Sequence, residues 1–483
     1  MLMVIVRVMD KKLKSSTFLY AAAKYSTIII TLLTTSVLAR LISPAEYGVV
    51  TIVTIFLSIF TVIADMGIGN AVIQYKDLTS DEIDDIFSVS VYVSLFLSVT
   101  FALMGLPIAC IYNNPVYSSI FPVASLSVFF STINIIPNAL LMREKRFKLV
   151  GKRLITISFG VGAISVWLAS HGFSYHTVIA QHMLQSSLTY LWNCRSVRLR
   201  FKVRIKWASI NKIKSYSVYQ IFYYIINNIA RNFDNLLIGK LLGNESLAYY
   251  DKGYRLMMYP VQNLTMIFNP IIHPILSDYQ KDKRFIYEAY LRITRLLSLA
   301  GLLVSGICYW GAQEIILIFF GSQWHQAVPT FCILSLTVWP QMITSSAGAI
   351  YQSTGNTKLM FRSGIFHFGI VIALIVAGVF SGNLSTVACC VAVGLYLRFF
   401  IDYYFLIVRN FGYSYAGFLK TFAKDVCIAV LMGAAIAVCS PLVGTGGFFR
   451  LVIKAFIMLA VFAAGVFVTG QHRLIKALFT KRA

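Results

Sequence analysis

The sequence predicts an all-α integral membrane protein of about fourteen transmembrane helices, built as two pseudo-symmetric six-helix lobes plus two C-terminal helices. Three observations carry this. The composition is apolar and poor in charge, the basic residues alternate from loop to loop, and two short motifs recur about two hundred residues apart.

Of 483 residues, 58% are hydrophobic and only 12% are charged. A soluble globular protein carries about 25% charged residues, so this surface is made for lipid. The start, MLMVIVRVMDKKLKSS, is a short apolar tag and a basic run with no cleavage pattern, and it reads as an uncleaved beginning. The net charge of +24 raises nucleic acid as a partner. Cytoplasmic loops of membrane proteins collect Lys and Arg, which accounts for the charge without nucleic acid. The eight cysteines, at 110, 194, 308, 332, 389, 390, 427 and 439, lie in or beside apolar runs with no CxxC pair. They read as buried small apolar residues rather than metal ligands or bridges.

A helix needs about 20 apolar residues to cross a bilayer. In order, the segments that qualify are 17–40, 48–73, 86–112, 117–141, 150–169, 174–193, 217–242, 256–277, 290–312, 327–352, 359–380, 384–408, 418–440 and 448–470. Span 256–277 is interrupted by Pro260, Pro270 and Pro274, and 217–242 carries Arg231 and Asp234. With the N-terminus inside, 33 of the 42 Lys and Arg residues fall on inside segments, 6 on outside segments and 3 within spans. That bias predicts an even number of spans with both termini cytoplasmic. One inside loop, KDLTSDEIDD at 76–85, is acidic and runs against the trend.

The expected organisation is a cytoplasmic segment 1–16, a first lobe 17–193, a basic inter-lobe loop 194–216 and a second lobe 217–408. Two extra spans at 409–470 and a cytoplasmic tail 471–483 complete it. No loop is long enough for a soluble catalytic domain. No nucleotide-binding glycine pattern or metal-ligand cluster is visible, and GxxxxGK[ST] is absent. The sequence thus implies no enzyme, no ATP-driven pump and no cofactor.

Arg40-Leu-Ile-Ser and Lys240-Leu-Leu-Gly align at an offset of 200, each closing the first span of a block. NALLMREKRFKLV at 138–150 aligns with GAIYQSTGNTKLM at 348–360 at an offset of 210, each following the fourth span. Copies with an even span number keep one orientation and are related by an axis along the membrane normal, with the site expected where they meet.

Several ordered motifs go further. LARLISPAEYG at 38–48, DMGIGNAVIQ at 65–74, PNALLMREKRF at 137–147, NFDNLLIGKLLG at 232–243, YYDKGYRLMMYP at 249–260, EIILIFFGSQWHQAVP at 314–329 and STGN at 353–356 resemble the polysaccharide-exporter family. These are the Wzx-type flippases of the multidrug/oligosaccharidyl-lipid/polysaccharide superfamily, and the chain is most similar to the colanic-acid-exporter branch. The resemblance covers residues 15–430. It implies an inner-membrane protein that flips undecaprenyl-diphosphate-linked sugar units toward the periplasm, beside polymerase and chain-length components. It marks Arg40, Pro44, Glu46, Tyr47, Gly48, Pro137, Arg143, Arg146, Asn235 and Gly239 as motif residues.

Ionisable groups inside spans are expensive and are functional candidates by default. Lys24 and Arg231 lie in the first spans of their lobes and suit a diphosphate or an acidic sugar, Arg by its fork and Lys as a point charge. Arg231–Asp234 at i,i+3 and Arg398–Asp402 at i,i+4 could equally neutralise themselves on one helix face. The structural reading is favoured for Arg398–Asp402, near a cytoplasmic end. Asp234 could orient Arg231, and Asp65 could cap or pair at the end of span 2. Either acid could carry a coupling proton.

The aromatic clusters, YQIFYY at 219–224 and the tyrosines at 249, 250, 254 and 259, fit sugar stacking or, for the second group, the membrane interface. The seven histidines lack metal spacing and read as satisfied or interfacial groups. The basic loops 142–153 and 194–216 fit topology and attraction to anionic membrane lipids, or an entry site for a diphosphate. Three other functions stay open: a cationic-drug extruder, whose cavity should be acidic; a membrane polymerase or ligase, which would want a larger loop; and an assembly scaffold.

Overall fold

A computed structural model describes residues 11–65, 68–206, 218–265, 276, 279–280 and 282–473, and among these every regular element is a helix. The chain divides into two compact units, Met1–Lys240 and Leu241–Ala483.

The first unit contains α1 (Lys11–Leu41), α2 (Pro44–Asp65), the short α3 (Ile68–Gln74), α4 (Ser80–Tyr112), α5 (Val116–Ile133), α6 (Ile135–Arg143), α7 (Phe147–Ser170), α8 (Ser174–Ser196) and α9 (Val218–Leu241). The motif that opens α2 is a capping box. Ser43 N and Oγ donate to Glu46 Oε2 at 2.9 and 2.8 Å, and Pro44 takes the first helical position, where its missing N–H costs nothing. Helices α4 and α5 pack closely because Gly105 has no side chain; a Cβ there would stand 2.8 Å from Phe121 Cβ.

The second unit contains α10 (Gly243–Thr265), α11 (Lys283–Trp310), α12 (Ala312–Phe320), a 3-10 turn at Ser322–Trp324 and the bent run α13 (Ala327–Ser335), α14 (Val338–Thr344) and α15 (Ala347–Ser353). Then come α16 (Thr357–Phe380), α17 (Leu384–Tyr404) with a π segment at Phe405–Phe411, α18 (Tyr415–Lys420), α19 (Ala423–Val443) and α20 (Phe448–Val468).

Among the described residues, ten helices are long and apolar enough to cross a membrane, and the bent pair Ala327–Ser335 and Val338–Ser353 makes eleven. The protein is therefore a multi-pass membrane protein. Two of the other three expected spans coincide with α8 and α9, of 23 and 24 residues, whereas the third, 256–277, shares only residues 256–265 with the 23-residue α10, which takes in the expected outer loop before it. At 1.5 Å per residue each is about 35 Å long and could span the hydrocarbon, but each is too polar to qualify by composition. Residues 266–275 and 277 of the expected span 256–277 lie outside the described residues.

The helices carry large apolar side chains on their outsides, among them Phe96, Phe159, Phe366, Phe456 and Phe467. The cysteines follow the same logic. None of the eight is buried, and Cys110, Cys389 and Cys427 are exposed. A lipid-facing helix gains nothing by hiding a small apolar side chain, so the burial expected of them does not arise.

Loops on one side of each unit touch one another. In the first unit Arg143 Nη2 donates to Lys76 O at 2.7 Å and Arg146 Nη1 to Ser196 O at 2.6 Å. At the other end, Ser174 Oγ donates to Glu46, Lys240 Nζ to Ile111 O, and Tyr112 OH to Leu236 O. In the second unit Lys283 reaches Asn410 O, and Asn356 reaches the Asn410 side chain. At its other end Gly446 N donates to Glu314. Successive spans within each unit thus alternate in direction.

The acidic loop that ran against the charge trend has a local explanation. Lys202 Nζ lies 2.5 Å from Asp81 Oδ1 and 3.2 Å from Asp85 Oδ1, and Lys206 reaches Asp81 Oδ2 at 3.3 Å. Arg200 N donates to Asp84 and Lys202 N to Ser88. The basic loop is clasped by the acids beside it. Asp81, then Asp85, hold the Lys202 ammonium above its ordinary value of 10.5. Its contribution is present below that value and is lost only as pH rises through the elevated one. We expect the clasp to persist through the neutral range but to loosen at about 1 M salt, where the Debye length falls to about 3 Å. Trypsin cleavage at Arg198, Arg200 and Lys202 should rise with salt and in Asp81→Asn/Asp85→Asn. Unchanged cleavage in that variant would mean the acids do not hold the loop.

The repeat appears in hydrogen bonds. Lys145 and Gly355, 210 residues apart, are both left-handed, at φ 56° and 71°. After them Arg146 N donates to Leu141 O and Asn356 N to Tyr351 O, both at 2.9 Å. Such a φ is free for glycine and costs a lysine about 1 kcal/mol or more. Gly172 and Gly382, again 210 apart, turn α7 into α8 and α16 into α17. Ser98 Oγ donates across to Ser125 O, and Ser305 Oγ to Ser335 O, both at 2.9 Å. The two units repeat one local architecture from α4 to α8 and from α11 to α17.

Candidate functional site

The groups that cost most to place in a membrane span fall into exposed cations and buried polar clusters. Lys24 on α1 and Arg231 on α9 are both exposed, and neither has a hydrogen-bond or ion-pair partner among the described residues. Both belong to the first unit. Helix α9 is fixed there by Ser58 Oγ, which donates to Asn228 Oδ1 at 3.2 Å, and by the Tyr112 bond at its far end.

Asn228, Arg231, Asn232 and Asn235 follow i, i+3, i+4, i+7 spacing and form one polar stripe on α9. Asn232 Nδ2 donates to Asn228 O at 2.9 Å, and Asn235 is buried with its Oδ1 unpartnered among the described residues. An unengaged guanidinium with amides above and below can take an anion bidentately and bond hydroxyls beside it.

The i,i+3 neutralisation offered for Arg231 is not made. Asp234 is buried and its Oδ1 accepts from Asn235 N at 2.8 Å, while Arg231 points into the open. A carboxylate three residues on lies on a different slope of the helix, and here that slope is packed. Asp65 ends α2 with its carboxylate against the backbone of Gly69, so it caps the start of α3.

The motif residues hold turns together. Glu46 ties the α1–α2 hairpin to Ser174, and Arg143 and Arg146 clamp loop carbonyls. Pro44, Tyr47, Gly48, Pro137 and Gly239 are buried, and Arg40 is exposed at the end of α1. Tyr249 and Tyr250 are buried too, Tyr249 edge-on to Trp324 at 5.9 Å, so packing rather than the membrane interface explains them. The side chains of 219–224 lie outside the described residues.

Four buried clusters were not legible as such. Arg153, counted above among loop basics, is 5% exposed and donates to Asn138 and Asn193, while Asn193 donates to Asn134 at 2.8 Å. Glu314 and Lys454, 0% and 4% exposed, pair at 2.7 Å between α12 and α20. Asp425 on α19 takes bonds from Ser298 and from Gln471 Nε2. Asp402 on α17 is paired with Arg398 at 3.4 Å as expected, but it also takes Ser363 Oγ at 2.5 Å and His367 Nδ1 at 2.9 Å from α16. Charge spacing along one helix shows the Arg398 partner and not the other two. Among the described residues there is no His, Cys, Asp and Glu group fit to hold a metal ion.

A family model described as polysaccharide biosynthesis protein matches residues 37–329. The chain belongs to this family. Relatives match it along most of its length. The teichuronic acid biosynthesis protein TuaB of Bacillus subtilis is 24% identical over 381 residues, 77% of each chain. The lipopolysaccharide biosynthesis protein WzxC of Escherichia coli is 21% identical over 397 residues, covering 80% of this chain and 78% of the relative. Among solved structures, the lipid II flippase MurJ in an inward closed conformation superposes with a TM-score of 0.74 at 14% identity. That match covers 95% of this chain and 100% of the other, and it shows a shared fold.

Proposed function

We propose that this protein flips undecaprenyl-diphosphate-linked oligosaccharide units from the cytoplasmic to the periplasmic leaflet of a bacterial inner membrane. It does so by alternating access, driven by an ion gradient and without covalent chemistry. The carrying observation is that two cations, Arg231 on α9 and Lys24 on α1, are exposed and unengaged among the described residues on helices long enough to span the membrane. Charges of that kind are retained where they meet a ligand or an aqueous path. A diphosphate supplies the complementary anion, and the amides around Arg231 suit sugar hydroxyls. The relatives' names, teichuronic acid and lipopolysaccharide biosynthesis, and the flippase name of the structural neighbour support a lipid-linked sugar as cargo.

In this reading the chain crosses the bilayer fourteen times with both termini cytoplasmic, and polymerase and chain-length components receive its product. The drug-extruder alternative asks for an acidic binding surface, which the free cations oppose.

The test uses inside-out vesicles from a deletion strain, with and without this protein, carrying lipid-linked oligosaccharide on the outer, cytoplasmic face. Protein-dependent access of the sugar to a lumenal glycosidase is the expected result. Equal access without the protein, with substrate and protein intact, would refute the flippase reading.

A further inference from the structure

The cluster around Asp402 contains more than a buried acid needs for neutralisation. Arg398 alone would balance its charge, at 3.4 Å from Oδ2. Ser363 and His367 add two bonds to Oδ1 from the neighbouring helix. Asp402 and His367 are 7% and 6% exposed. His367 is ten residues into α16, roughly 15 Å from its start at 1.5 Å per residue, so the cluster sits well within a span. With Nδ1–H donating to the carboxylate, Nε2 carries the free lone pair. That Nε2 is buried and has no partner among the described residues. Buried polar atoms are nearly always paired, and an exception asks for a reason.

We propose that His367 and Asp402 form the site that binds and releases the proton coupled to transport. This rests on the flippase reading and adds the identity of the coupling ion. The proton adds to the lone pair of Nε2, converting neutral imidazole to imidazolium while Nδ1–H stays on Asp402. On release it returns to water from the same nitrogen. With the proton bound, Arg398 and His367 place two positive charges on one carboxylate. That excess is costly in a dry site and tolerable in one open to water. Proton occupancy and exposure are thus tied together, as a coupled carrier requires.

The other groups facing the site are tyrosine hydroxyls and a guanidinium. Tyr351 OH of α15 donates to Asp402 O, and Tyr290 OH of α11 bonds Tyr403 OH of α17 at 2.6 Å. Arg409, on the adjoining π segment, is exposed. The first unit offers a contrast. The residue 210 positions before Ser363 is Arg153, set among three asparagines, and a guanidinium does not give up its proton. The repeat keeps a polar cluster in both units and makes only the second one titratable.

The test uses the full chain in proteoliposomes with lipid-linked oligosaccharide extracted from cells that carry it, scored by glycosidase access. A one-unit pH gradient should raise the accumulation ratio by up to about tenfold per proton coupled, and a sodium gradient should leave it unchanged. In His367→Gln and Asp402→Asn the ratio should no longer respond to pH while equilibration without a gradient continues. A sodium-driven wild type, or a His367→Gln protein that still responds to the pH gradient, would overturn the proposal. Histidine ring nitrogen spectra of the wild type in nanodiscs, compared with His367→Gln, give a readout independent of transport. The His367 signal should titrate, and a signal unmoved by pH would overturn the proposal. Absence of any sugar movement in the wild type would instead refute the flippase reading, while the ring spectra still decide the proton site.

Discussion

Lys454→Met is expected to destabilise the protein by about 3–5 kcal/mol, because it leaves the buried Glu314 carboxylate without its cation. Glu314 Oε1 also accepts from Gly446 N at 2.9 Å, and Oε2 has no partner among the described residues. The remaining interactions are too few to hold a charge in a dry site. Lys454 Nζ further donates to Trp310 O at 3.3 Å, so the pair joins α20 to the turn between α11 and α12. The double variant Glu314→Gln/Lys454→Met should recover most of the loss, since it removes both charges and keeps the volume. Thermal unfolding of the purified chain in nanodiscs measures both. A double variant as unstable as the single one would mean that packing, and not charge, sets the cost.

Arg231→Ala should leave the protein in the membrane at its normal level and reduce translocation by about tenfold or more, the usual worth of a hydrogen-bonded charge pair. The fold should tolerate the change because the guanidinium is exposed and unengaged among the described residues. Arg231→Lys should fall between the two, since a lysine keeps the charge but loses the fork. Polymer export in cells and glycosidase access in vesicles are the measurements, with protein abundance as the control. Normal export at normal abundance in Arg231→Ala would take this residue out of the mechanism.

Sequence reasoning reached what each helix says about itself. Apolar length placed most of the spans, though it began the second at residue 48 where the capped helix starts at Pro44, and the offset of 210 between NALLMREKRFKLV and GAIYQSTGNTKLM predicted a repeat whose turns share their backbone hydrogen bonds. What it could not reach are partners on different helices. Glu314 and Lys454 are 140 residues apart, Ser298 and Asp425 are 127 apart, and His367 and Asp402 are 35 apart. Hydropathy treats each span alone, and a single sequence does not say which span lies against which. Arg153 shows the same limit. Its place in a basic run suggested a loop, and only the packing of α7 against α8 turns it inward to the asparagines. The acidic loop at 76–85 was legible as an exception but not as one half of a clasp, because its basic partners begin more than a hundred residues later.

The cysteines have a practical consequence. Cys110, Cys389 and Cys427 are exposed, the other five are only partly covered, and all eight are free thiols. Replacing all eight by serine or alanine should leave a chain that folds, ready to receive single thiols at chosen positions. Spin labels or fluorophores placed within each unit would then report, in a lipid bilayer and in real time, whether its helices move when lipid-linked oligosaccharide is added.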